Sequence, residues 1–119
     1  MRTINVDTNK LEEAKTVLEL LNEQFDENVK MRITTADRGQ AVGREKRFTL
    51  PARAFERHQA YLIYYVVHEF THCLGYYDHR EDFKFWECKL LDKFGITIEY
   101  ARAYPKALYC NGDKVYSRK

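Results

Sequence analysis

His68, Glu69 and His72 are the residues of this chain whose types and spacing can do chemistry. On a helix, residues four apart share one face and lie about 6 Å apart along the axis, so two imidazoles there can converge on one metal ion. Glu69 is rotated about 100° from His68 and flanks that ion instead of capping it. From there its carboxylate can take a proton from a water held at the metal. Two nitrogen ligands, an adjacent base and an open position are the parts of a hydrolytic zinc site. With four His and eleven Glu in 119 residues, chance yields such a pattern only about one time in a hundred.

The surroundings favour the same reading. The run from Tyr61 to Val67 is apolar, too short to span a bilayer and suited to a buried helix. Gly75, three residues after His72, is placed to end the helix and turn the chain back. Asp78 and His79 follow at once, and either can return to the ion as a third ligand. Three of the four histidines thus fall within twelve residues. A three-imidazole set of His68, His72 and His79, with one Zn2+ per chain, is the preferred assignment. Asp78 is then free to orient an imidazole by accepting its N–H. Cys73 points about 100° away from His72 and is assigned to packing.

The positioning elements follow from periodicity. Leu11, Ala14, Val17, Leu18, Leu21 and Phe25 recur at helical spacing, which predicts an amphipathic helix over residues 9–25 with Asn9 and Glu12 as a capping box. Residues 2–6 read as a short strand or lead-in. Val29, Met31 and Ile33 alternate with polar residues, as a half-buried strand does. Residues 36–43 form a turn, and Arg47–Leu50 form a strand stopped by Pro51 that suits a sheet edge. Such an edge beside a metal cleft can hold an extended peptide by backbone pairing. A helix from about Ala54 to Leu74 carries the motif, with His58 on its surface. A second helix spans about Asp82 to Phe94, with Phe83, Trp86, Leu90 and Phe94 as its stripe and Gly95 as its stop. A strand at Ile96–Tyr100 and a hairpin around Asn111-Gly112 complete the chain. The expectation is one compact α+β domain over residues 1–119, with helices packed on a small antiparallel sheet.

Composition bounds the function classes. A hydrophobic content of 45% with nine Tyr, seven Phe and one Trp excludes a disordered tail. The net charge of +2 does not by itself call for nucleic acid. The charge is uneven: eight Lys or Arg against three acids from Lys30 to His58, and five against one from Ala101 onward. The first residues lack the apolar core of a signal peptide, and three cysteines without paired spacing do not make a disulfide framework. A cytoplasmic protein with reduced thiols and no membrane partner is expected.

Over about residues 29–95, and most strongly in HEFTHCLGYYDHREDFKFWECKLLDKFGI, the sequence resembles the small gluzincin-like zinc metallopeptidase domains of the SprT-like and WLM group. The resemblance implies a zincin-like active-site helix, His68 and His72 as paired ligands, Glu69 as general base, a later histidine at His79, and Phe83 packed beneath the site. It makes Glu87 a further ligand candidate, because gluzincins often use a helical glutamate. It implies hydrolysis of a peptide or protein substrate. His79 comes eleven residues after His68, one more than in the WLM-type pattern, and the SprT-like zinc ribbon with its hint of DNA association is absent. The segment is also similar to the snapalysin-like metzincins, with Asp78 as third ligand, but Met1 and Met31 are the only methionines and neither can form a downstream methionine turn. The YbeY-type endoribonucleases, a different functional class, carry a similar histidine pattern. A non-catalytic zinc-binding module is the third alternative. Oxyanion donors are sought among Tyr76, Tyr77, Tyr100 and Tyr104.

Overall fold

The computed structural model describes residues 5–118. Helix α1 (Thr8–Phe25) starts on Asp7, whose side chain accepts from the Lys10 N–H at 3.1 Å. The cap is therefore Asp7, not the expected Asn9–Glu12 box; a two-residue shift of the first turn decides which side chain reaches the free N–H groups. The helix buries Ala14, Val17, Leu18 and Leu21 against the core. Its last turn is tied to the next strand by Asn22, whose amide accepts from Val29 N–H at 2.8 Å and donates to Val29 C=O at 3.0 Å. Of the lead-in expected at residues 2–6, residues 2–4 lie outside the described residues, and residues 5–7 carry no regular structure.

Three strands form the first sheet, β1 (Lys30–Thr34), β2 (Ala41–Val42) and β3 (Arg47–Pro51), in the order β1-β3-β2. Strand β3 is therefore central, not the edge that Pro51 implied. It runs parallel to β1, pairing Met31 with Phe48 and Ile33 with Leu50, and antiparallel to β2. Pro51 is tolerated because it is the last residue of the strand, where one missing donor interrupts little of the ladder. The sheet is thus mixed, where a purely antiparallel one was expected, and the turn of residues 36–43 contains its edge strand β2. Gly39 sits where any Cβ would meet the Thr49 carbonyl oxygen at 2.2 Å, so only glycine lets the chain pass this close to β3.

A 3-10 turn (Ala52–Glu56) precedes helix α2 (Gln59–Cys73). The long helix expected from Ala54 is cut there because His58 caps α2, its Nδ1 accepting from Ala60 N–H at 3.0 Å. Lys10 Nζ donates to Phe55 C=O and Arg57 C=O at 2.9 and 2.7 Å, holding the turn against α1. Helix α2 is the axis of the molecule. All but three of its residues are buried, and it touches α1, helix α3 (Glu81–Asp92) and both sheets. A helix apolar on nearly every side needs such a complete sheath.

The second sheet is antiparallel, with β4 (Ile96–Ala101), β5 (Tyr104–Cys110) and β6 (Asp113–Ser117) in chain order. The turn at Asn111-Gly112 joins β5 to β6, as its sequence predicts. Register shifts at Glu99/Tyr100 and Leu108/Tyr109 bend these strands. One hydrophobic cluster runs from α1 through α2 to α3 and both sheets, which makes the architecture a single-domain α+β fold. Among the described residues no helix is long and apolar enough to cross a membrane.

Candidate metal centre

Helix α2 brings His68 and His72 onto one face, as their spacing requires. After Cys73 the chain turns at Gly75, whose φ of +109° is a conformation that L side chains rarely adopt. This reversal carries His79 back over α2. Its Nε2 lies 3.1 Å from His68 Nε2 and 3.2 Å from His72 Nε2, and the three imidazoles offer ligand atoms all within 4.8 Å of one another. A tetrahedral ion with Zn–N bonds of ~2.0–2.1 Å would set its ligand nitrogens about 3.3–3.4 Å apart. The two close pairs are near that spacing.

The other ring nitrogens are occupied in a way that turns Nε2 inward. His68 Nδ1 is 2.6 Å from Glu87 Oε2, and His72 Nδ1 is 2.8 Å from the Tyr76 carbonyl oxygen. Each of these oxygens accepts, so Nδ1 carries the proton and Nε2 presents its lone pair. The Tyr64 hydroxyl also lies 3.3 Å from His68 Nδ1. Burial pulls His72 down to about 4, despite its bond to Tyr76, and burial together with His68 lowers His79. Both rings are neutral near pH 7, the form that binds metal.

Glu87 is fully buried and belongs to the support of the site. Its Oε2 receives His68 and its Oε1 accepts from the Tyr100 hydroxyl at 2.6 Å. The orienting role expected of Asp78 thus falls to Glu87. Asp78 is largely exposed and its carboxylate lies 3.6 Å from Arg80 Nε. Neither acid is in the cluster of ligand atoms. The signal for Glu87 was present in the sequence, a carboxylate one helical turn after Phe83 on the apolar face of α3. Phe83 is 1% exposed and forms the floor: its ring centroid is 5.0, 4.6 and 5.0 Å from those of His68, His72 and His79. Cys73 is buried and its Sγ meets Arg47 C=O at 3.6 Å, so it packs as expected.

Glu69 is 5% exposed, lines the same cleft as the histidines, and its buried Oε2 has no hydrogen-bond partner among the described residues. Burial, with Glu87 adding, pushes its carboxyl up to about 7 against the opposing pull of His68. An unpartnered buried carboxylate is costly, and its place beside three convergent imidazoles is what a site built for a cation and a water requires. The residues therefore fit a metal ion. The cleft over them encloses about 650 Å³ and runs between the edge strand β2 and the strands β5 and β6. Of the oxyanion-donor candidates, Tyr77 and Tyr104 line it, and the Tyr104 ring lies 6.2 Å from that of His79. Tyr100 is engaged by Glu87, and Tyr76 serves through its backbone. Sequence reasoning missed Tyr64 and the cleft residues Arg38, Arg53 and Arg118, which become neighbours of the site only through the fold.

Fold and site together define an α+β domain with a three-histidine centre able to take a metal ion and a carboxylate beside it. No protein-family model, curated protein or solved structure matches the chain.

Proposed function

We propose that the protein is a zinc-dependent metallopeptidase of the small gluzincin-like kind, cleaving a peptide or protein substrate. The observation that carries this reading is the convergence of three imidazoles beside Glu69, whose buried Oε2 has no hydrogen-bond partner among the described residues. His68, His72 and His79 would hold the ion. Zinc, when bound, supplies a Lewis acid that acidifies water and polarises a carbonyl. Glu69 accepts the proton of the attacking water on Oε2 and returns it to the departing amine. Glu87 and the Tyr76 carbonyl keep the His68 and His72 tautomers fixed. Tyr104 is the assigned oxyanion donor, being next to His79 and open to the cleft. A purely structural zinc module would leave a buried carboxylate beside the ion with nothing to do, which selection for stability alone does not favour.

Elemental analysis of protein purified without added metal should find about one zinc per chain, and His68→Ala or His72→Ala should lose it. Glu69→Gln should keep the ion and the fold while hydrolysis of an unfolded protein falls about 10²-fold or more. A folded, metal-free chain indifferent to zinc would overturn the reading. Metal-dependent cleavage of RNA with no cleavage of polypeptide would replace it with a nuclease.

A further inference from the structure

The walls of the cleft carry a charge pattern that catalysis does not use. Arg38 and Arg53 line it on the side of the first sheet, and Arg118 on the side of the second. Among the described residues none of the three is in an ion pair. Arg53 is held in place by its Nε–H, which donates to Asp37 C=O at 2.8 Å, and by the Tyr61 hydroxyl beside its guanidinium. The Arg118 guanidinium lies 5.4 Å from the centre of the Tyr104 ring, the ring adjacent to His79. Among the described residues Glu69 is the one carboxylate in the lining. A bound dication would make the cleft more positive still.

We infer that the polypeptide taken by this site is an acidic segment in extended form, with carboxylate side chains meeting the arginines on both sides of the metal centre. The inference rests on the peptidase reading. The extended form follows from the edge strand. Gln40 turns its carbonyl to Thr49 N–H at 2.8 Å, so the next residue, Ala41, directs its N–H and C=O away from β3. Ala41 lines the cleft, and among the described residues β2 has no partner on that side. A peptide backbone can pair there, whereas a nucleic-acid backbone offers no amide to match. Carboxylates on such a strand meet guanidiniums that, among the described residues, are in no ion pair, and lysines meet like charge, so the walls both attract one class of segment and reject another.

Binding is best measured on zinc-loaded Glu69→Gln, which holds substrate without consuming it. The probes are fluorescent unstructured peptides of equal length carrying Glu, Gln or Lys at alternate positions, with a single-stranded RNA of similar charge as the competing class. The Glu peptide should bind about tenfold tighter than the Gln peptide at low salt, and the difference should shrink as added salt shortens the screening length. Arg38→Gln, Arg53→Gln and Arg118→Gln should each reduce the preference about threefold with zinc content unchanged. Arg53→Glu should shift it toward the Lys peptide, a gain that misfolding cannot mimic. Equal binding of the three peptides, or tighter binding of RNA, overturns the inference. Wild-type cleavage separates the two readings. Neutral and acidic peptides cut equally well would sink the acidic preference and leave the peptidase standing; acidic peptides selectively bound but never cut would uphold the preference and remove the peptidase.

Discussion

Glu87 shows how much of a metal site lies behind its ligands. It is wholly buried, and its two oxygens are shared between His68 Nδ1 and the Tyr100 hydroxyl. Burial and the nearby Glu87 carboxylate raise the Tyr100 phenol well above its ordinary value, so Tyr100 stays a proton donor to Glu87 at any physiological pH. A ring held this way pays less entropy when it binds an ion. Glu87→Gln should weaken zinc binding by about 10–100-fold, the usual range for an orienting partner. Tyr100→Phe should act in the same direction but less. His79→Ala should cost more than either, and Asp78→Ala should change little because its side chain is exposed. Competition with a chromophoric chelator ranks all four. A larger loss from Asp78→Ala than from His79→Ala would mean the third ligand is misassigned.

At the scale of elements, the turn at Gly75 and the helix α3 decide where His79 and the floor of the site sit. A Cβ at Gly75 would touch nothing within 4 Å, so its cost is purely conformational, from φ of +109°. Gly75→Ala should therefore destabilise by about 1–2 kcal/mol and also loosen zinc binding, because relaxing that strain moves the segment bearing His79. Urea unfolding with and without zinc separates the two effects. Phe83→Ala is the contrasting case. It opens a cavity under three imidazoles and should cost ~3–5 kcal/mol. If Phe83→Ala lowers stability yet leaves zinc affinity intact, Phe83 is only a core residue and does not position the ligands.

For the whole molecule, the centre links α2, the loop after it and α3, so occupancy and folding must be coupled. Anything that binds the native state alone stabilises it by RT ln(1 + [L]/Kd), about 2.7 kcal/mol at a hundredfold excess over Kd. Thermal unfolding of the stripped protein should therefore shift upward on adding zinc, and the shift should vanish in His68→Ala. No shift in the wild type would count against metal binding in the native fold.

What could be read from one dimension was whatever depends on near neighbours. The 3.6-residue period placed His68 and His72 on one face and Gly75 marked the reversal, while the place of Phe83 beneath the site came from the family resemblance. The helices, most strands and the Asn111-Gly112 hairpin were legible for the same reason. Only the tertiary structure decided matters that join distant segments. Alternation and Pro51 describe a strand but not its neighbours, so β3 was taken for an edge until its pairing with both β1 and β2 was seen. His58 reads as helical surface unless its cap geometry is known. Glu87 became the partner of His68 across nineteen residues, and Arg38, Arg53 and Arg118 reached one cleft from three separate segments. Helical period and turn chemistry are local properties of a chain; which carboxylate meets which imidazole is set by the packing of whole elements, and no local pattern encodes it.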